Sequence, residues 1–169
     1  MLARRQILIG QPIDDECANR GIAQLLFLNQ CDSGSPITVL IDSPGGSITA
    51  SLAIFDTILS VEAPVHTWVI GRANGTALWL LAAGEPGSRF VVKESILAIE
   101  PTQVECPTCE VATVLKVNDA MAATMASRSR MSASEVSGYL QSNGCVFTAE
   151  EAIELGIADR VSELPPGGF

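Results

Sequence analysis

The chain has 169 residues, 47% of them hydrophobic, which is enough for one domain with a buried core. Its 19 acidic residues against 10 basic ones give a formal net charge of −9, which argues against a nucleic-acid partner because phosphates would be repelled. No apolar run has the length needed to cross a bilayer, and Met1-Leu-Ala-Arg-Arg5 leads straight into a strand without a signal-peptide hydrophobic region.

Gln6 to Ile9 reads as a short strand ending at Gly10. Asp14 and Asp15 supply a helix N-terminus, where carboxylates favour exposed amides and the helix dipole. The helix they start carries Cys17, Ala18, Ile22, Leu25, Leu26 and Leu28 as a broad apolar face. After the loop Asp32-Ser-Gly-Ser-Pro36, the β-branched run Ile37 to Ile41 predicts a buried parallel strand. It passes through Asp42-Ser-Pro-Gly-Gly46 into a helix from about Ser47 to Ser60, and Val65 to Ile70 predicts a second buried strand.

Gly71-Arg-Ala-Asn-Gly-Thr-Ala-Leu-Trp-Leu-Leu-Ala-Ala-Gly84 comes next, a strand that breaks at glycine and turns into a small-residue helix. That is how a nucleophile elbow presents a serine, but here the turn position is Gly75. Two further strands are expected at Arg89 to Val92 and Ile96 to Ile99, completing an α/β alternation of crossover units. A long helix rich in Ala, Met and Val runs from Glu110 to about Arg130, carrying Met121 and Met125. Ser132-Ala-Ser-Glu135 and Thr148-Ala-Glu-Glu151 are capping boxes, each opening a short helix, and Gly156 stops the second. Ile157 to Val161 closes as a last strand, and the tail from Glu163 to Phe169 is non-helical.

Three segments in order resemble the proteolytic subunit of Clp protease, ClpP. They are Gln24-Leu-Leu-Phe-Leu with Ile41-Asp-Ser-Pro-Gly-Gly-Ser-Ile-Thr-Ala50; Gly71 to Gly84; and Thr148-Ala-Glu-Glu-Ala-Ile-Glu-Leu-Gly-Ile-Ala-Asp159. The resemblance runs from about Arg5 to Val161. It implies an α/β fold of the ClpP/crotonase type in a single domain, residues 1–169, with a head of about 1–100 and 144–161 and a protruding handle of about 101–131.

Carried over position by position, the family's catalytic serine falls on Gly75, its histidine on Glu100, and its aspartate on Gly144 or, with one residue of slip, on Cys145. A nucleophile needs a base and the base an orienting group, so the expectation is that the chain is not an enzyme. It then resembles the family's ClpR-type members, non-catalytic subunits of an ATP-dependent Clp protease core. The expected role is ring assembly and ATPase docking, in mixed heptameric or tetradecameric rings with active ClpP subunits and an AAA+ Clp ATPase. Thr76, one residue beyond the elbow, has no histidine placed to activate it, since the only histidine, His66, starts the preceding strand. The backbone amides of Gly45, Gly46 and Thr76 match the family's oxyanion-hole donors, which survive side-chain substitution.

Glu100, ending an apolar strand, needs a partner or water, and Arg72 is the candidate partner. As a base, Glu100 would instead suit a crotonase-like acyl-CoA hydratase or isomerase, and an inactive homo-oligomeric scaffold is a third reading. No cofactor is expected. Cys106-Pro-Thr-Cys109 supplies half of a four-ligand zinc site, to be completed only by a second copy, or a redox latch, or two unlinked thiols. Cys17 and Cys145 read as small buried hydrophobes. Pro101 and Pro107, with the two cysteines, replace the glycines of the family's peptide-pairing strand, which should impair pairing with a bound peptide. Five cysteines without framework spacing point to a reducing compartment, the cytoplasm or a plastid stroma. Only Met1 to Arg5 precede the first strand, so little of the family's axial gate is expected, with Arg4 and Arg5 as its exposed remnants.

Overall fold

The computed structural model describes residues 1–101 and 111–163, with no side-chain description for 111–114. Cys106, Pro107 and Cys109 lie outside the described residues, as does the tail beyond Glu163. Seven strands and six α-helices are described. In chain order they are β1 (Gln6–Ile9), α1 (Asp15–Cys31), β2 (Ile37–Ser43), α2 (Ile48–Ser60), β3 (Val65–Asn74), α3 (Thr76–Ala83), β4 (Arg89–Val92), β5 (Ile96–Ile99), α4 (Val111–Arg128), α5 (Ala133–Gln141), β6 (Cys145–Phe147), α6 (Ala149–Glu154) and β7 (Arg160–Ser162).

The sheet is parallel along β1-β2-β3-β4-β7, and β5 and β6 branch from it. Parallel strands are covered on both faces, so they read as continuous apolar runs. Accordingly Ile37, Val39, Leu40, Ile41 and Val69 are all at most 1% exposed. This is the α/β, ClpP/crotonase-type architecture expected from the sequence.

The long central strand β3 serves two neighbours in turn. Its first half pairs with β4, Thr67 opposite Arg89. Its second half pairs with β5, Asn74 opposite Ala98. Strand β5 then pairs antiparallel with β6, Ile99 opposite Cys145. The strand was expected to break at Gly71, but it continues to Asn74, and the turn into α3 comes at Gly75. Around Gly71 the strand bulges against β2, where the Asp42 carboxylate accepts the Arg72 amide (3.2 Å).

Helix starts follow their caps. Asp14 accepts the Cys17 amide (2.8 Å), Ser47 caps α2, and both capping boxes are formed, Ser132 with Glu135 and Thr148 with Glu151. In α1, Cys17, Ala18, Leu25 and Leu28 are buried, but Leu26 faces outward at 51% exposure, so the buried stripe is narrower than expected. Arg5 is likewise no exposed remnant. Its guanidinium donates to the carbonyls of Leu28, Asp32, Ser35 and Pro36, closing the C-terminal end of α1. The last strand is shorter and later than expected, beginning at Arg160. No helix among the described residues is long and apolar enough to cross a membrane.

Candidate functional site

Strand register alone brings the elbow to its neighbours. With Asn74 opposite Ala98, Gly75 follows and its amide donates to the Ala98 carbonyl (3.0 Å). Glu100, one residue past the end of β5, therefore stands beside the turn. Its Oε2 lies 3.6 Å from where a β-carbon on Gly75 would sit. With Ile99 opposite Cys145, Gly144 comes next to the same strand end, and a β-carbon there would lie 3.3 Å from the Glu100 Cα. Residues 75, 100 and 144 are thus adjacent in space although distant in sequence.

The turn geometry explains two of these glycines. Gly75 has φ 50 and ψ −124, and Gly144 has φ 79, backbone conformations that side chains other than hydrogen strain. At Gly144 space is also missing, since a β-carbon would lie 2.4 Å from the Ile99 carbonyl oxygen. At Gly75 space is open. Cys145 begins β6 and is half-buried against the core rather than fully buried. Cys17 is buried as expected, and burial pushes its thiol pKa up, which keeps it unreactive.

The Ser43–Gly46 loop forms the opposite wall. Ser43 Oγ donates to the Gln11 carbonyl (2.7 Å) and accepts the Gly45 amide (3.1 Å). The Gly46 amide donates to Thr76 Oγ1 (3.1 Å), which also accepts a hydrogen bond from Ser51 Oγ (2.8 Å). Thr76 is 7% exposed. Its hydroxyl, which also donates to the Gly46 carbonyl (3.4 Å), is thus a tie between loop and elbow rather than a group presented for attack. Of the three backbone amides singled out by the sequence, that of Gly45 is donated inside the loop, to Ser43 Oγ, and that of Gly46 is donated across to Thr76 Oγ1 on the elbow helix.

Between the two walls lies a cleft of about 480 Å³, lined by Pro44, Gly45, Gly46, Ile48, Gly75, Thr76, Glu100, Pro101, Met121 and Asn143. The sequence placed Met121 only in a long helix and gave no role to Ile48 or Asn143; nothing in their local pattern marks them. The expected Glu100–Arg72 pair does not form. Arg72 lies 3.9 Å from Asp42, while Glu100 is exposed on the cleft wall. His66 is away from the cleft, edge-on to Phe90. No group of three or more metal-ligating side chains occurs among the described residues.

The elbow helix is anchored at both ends of its neighbourhood. Trp79 Nε1 donates to the Met121 carbonyl of α4 (3.0 Å). Arg128, ending α4, donates to the carbonyls of Ala82, Ala83 and Gly84, the unsatisfied C-terminal end of α3.

Comparison with known proteins places this arrangement among relatives. The Clp protease family description matches residues 1–164. The chain is 34% identical to the ATP-dependent Clp protease proteolytic subunit 2 of Streptomyces avermitilis, over 95% of this chain and 84% of that protein. It is 37% identical to proteolytic subunit 1 of Corynebacterium glutamicum, over 95% of this chain and 80% of that protein. It is 36% identical to the chloroplastic Clp protease proteolytic subunit-related protein 2 of Arabidopsis thaliana, over 95% of this chain and 60% of that longer protein. The expectation that the chain is not an enzyme is corrected by these relatives, two of which are named as proteolytic subunits of a protease. The inference from side chains at three positions had set aside what the whole chain shares with them.

Proposed function

Because the chain belongs to the Clp protease family, we propose that it is a core subunit of an ATP-dependent Clp protease, working in heptameric or tetradecameric rings capped by an AAA+ Clp ATPase. Its rings are mixed, and neighbouring subunits carry the family's serine, histidine and aspartate. In this chain Gly75, Glu100 and Gly144 stand at those three positions, and the amides of Gly45, Gly46 and Thr76 stand at the oxyanion-hole positions. The head comprises about 1–100 and 144–161 and the handle about 101–131. The assembly works in the cytoplasm or a plastid stroma.

The observation that carries this reading is the elbow itself. A positive-φ turn at Gly75, with Glu100 3.6 Å from its missing β-carbon and Gly144 beside it, keeps the spatial relation of three sequence-distant positions.

Native mass spectrometry of the endogenous complex tests the proposal. The expected result is a ring of seven or fourteen subunits containing this chain together with serine-bearing Clp subunits. Purification of the chain alone, or as a homo-oligomer, from its own cell overturns it. Turnover of a short enoyl-CoA that disappears in Glu100→Gln would instead establish the crotonase-like reading.

A further inference from the structure

The cleft carries a charge that the fold leaves without a counter-charge. Among the described residues, three ion pairs form, and none includes Glu100. Arg72, the cation closest in sequence to the elbow, is turned to Asp42. Among the described residues, Glu100 is the only charged side chain lining the cleft. The same lining holds the apolar side chains Ile48, Met121 and Pro101, the polar Thr76 and Asn143, and the bare backbone of Gly75. Gly75 carries no side chain, and Glu100 Oε2 lies 3.6 Å from where its β-carbon would sit.

We propose that this cleft binds the cationic side chain of an extended peptide, a lysine or arginine, with Glu100 as the specificity-determining residue. The proposal rests on the cleft being the peptide-facing site of a Clp protease subunit. A volume of about 480 Å³ falls within the range of sites that enclose a small ligand group. Long basic side chains pack an apolar stem against hydrophobic walls and keep the charged head at a polar end. Ile48 and Met121 supply the walls, and Glu100 supplies the end. The Glu100 carboxylate is exposed at the cleft wall, so it meets a peptide cation there as a solvated pair whose position the walls fix. An acidic peptide side chain meets the same carboxylate as repulsion, which adds to the selection.

Fluorescence anisotropy on the purified full chain tests this with three labelled pentapeptides that differ only at the centre: lysine, norleucine or glutamate. Lysine should bind about threefold more tightly than norleucine, the size of one exposed charge pair, with glutamate weakest. In Glu100→Gln the lysine and norleucine peptides should bind equally; because Glu100 is exposed and hydrogen-bonded to nothing described, this isosteric change leaves the fold intact, as circular dichroism would check. Equal binding of lysine and norleucine by the unsubstituted chain, or a lysine preference surviving in Glu100→Gln, overturns the proposal. An unsubstituted chain that enters the mixed ring but shows no lysine preference refutes the cation site alone; failure to bind any peptide together with failure to enter a ring refutes both readings.

Discussion

At the scale of single residues, glycines and one buried ion pair decide most. Gly46 has φ 155, and a β-carbon there would lie 2.3 Å from the Ile13 carbonyl oxygen, against backbone that cannot move aside. Gly75 has φ 50, but a β-carbon there would meet only the Glu100 side chain, at an ordinary contact distance of 3.6 Å. Gly75→Ala should therefore cost only the backbone strain, about 1–2 kcal/mol, whereas Gly46→Ala adds a clash and should cost clearly more. Urea denaturation of the two variants side by side checks the order, and equal midpoints would contradict it. Asp159 pairs with Arg89 through Oδ1 and Oδ2 (2.7 and 2.9 Å) and accepts the amides of Gly87 and Arg89 as well. Burial pushes the Asp159 carboxyl pKa up, but the hydrogen bonds and charge of Arg89 outweigh it and hold the carboxyl below its ordinary 3.8. A depressed folded-state pKa means the pair stabilises fully above the unfolded value and is lost as pH falls through the folded one. Stability should thus decline below about pH 4 with a contribution from Asp159. Asp159→Asn should flatten that decline and cost about 3–5 kcal/mol at neutral pH, because Arg89, 8% exposed, is left as an uncompensated charge. Chemical denaturation across pH 3 to 7 separates the two effects.

At the scale of elements, the elbow helix is the piece most dependent on others. Thr76 through Ala83 are all buried, so α3 has no solvent face to supply hydrogen bonds to its C-terminal carbonyls. Arg128 takes three of them, and its planar fork suits that arrangement as a lysine's point charge does not. Arg128→Lys should cost about 1–3 kcal/mol and raise amide exchange selectively in α3. Exchange that rises uniformly over all helices would show that the contact is not local to the elbow. The capping boxes were legible in sequence because their partners are three residues apart. The Arg128 cap was not, because its carbonyls lie more than forty residues away and any buried helix end could have been served by water or a neighbour. For the same reason β6 went unread: three residues give no period, and only pairing with β5 makes Cys145–Phe147 a strand.

At the scale of the whole molecule, the proposed ring assembly makes the surface left apolar relevant. Leu26 and Phe27, exposed at 51% and 58%, are ordinary in isolation but would be unusual together on a monomer of this charge. If the chain works in rings, Phe27→Ser should leave the midpoint of urea unfolding within about 0.5 kcal/mol, as expected for an exposed site. Its effect should appear only in sedimentation of the assembled complex or in ATPase-dependent protein degradation. A large loss of monomer stability would place Phe27 in the core instead.

The sequence by itself determined the α/β class, the helix starts, the buried strands and the glycine turn at the elbow. Each of those rests on local physics: period, caps, glycine turns and short motifs. Only the tertiary structure decided that residues 75, 100 and 144 meet, since that follows from β3 exchanging β4 for β5 along its length and from β6 returning antiparallel. It also decided that Arg72 turns to Asp42 and leaves Glu100 facing the cleft. Charge pairing across a sheet depends on register, and register is a property of strands together rather than of any one of them.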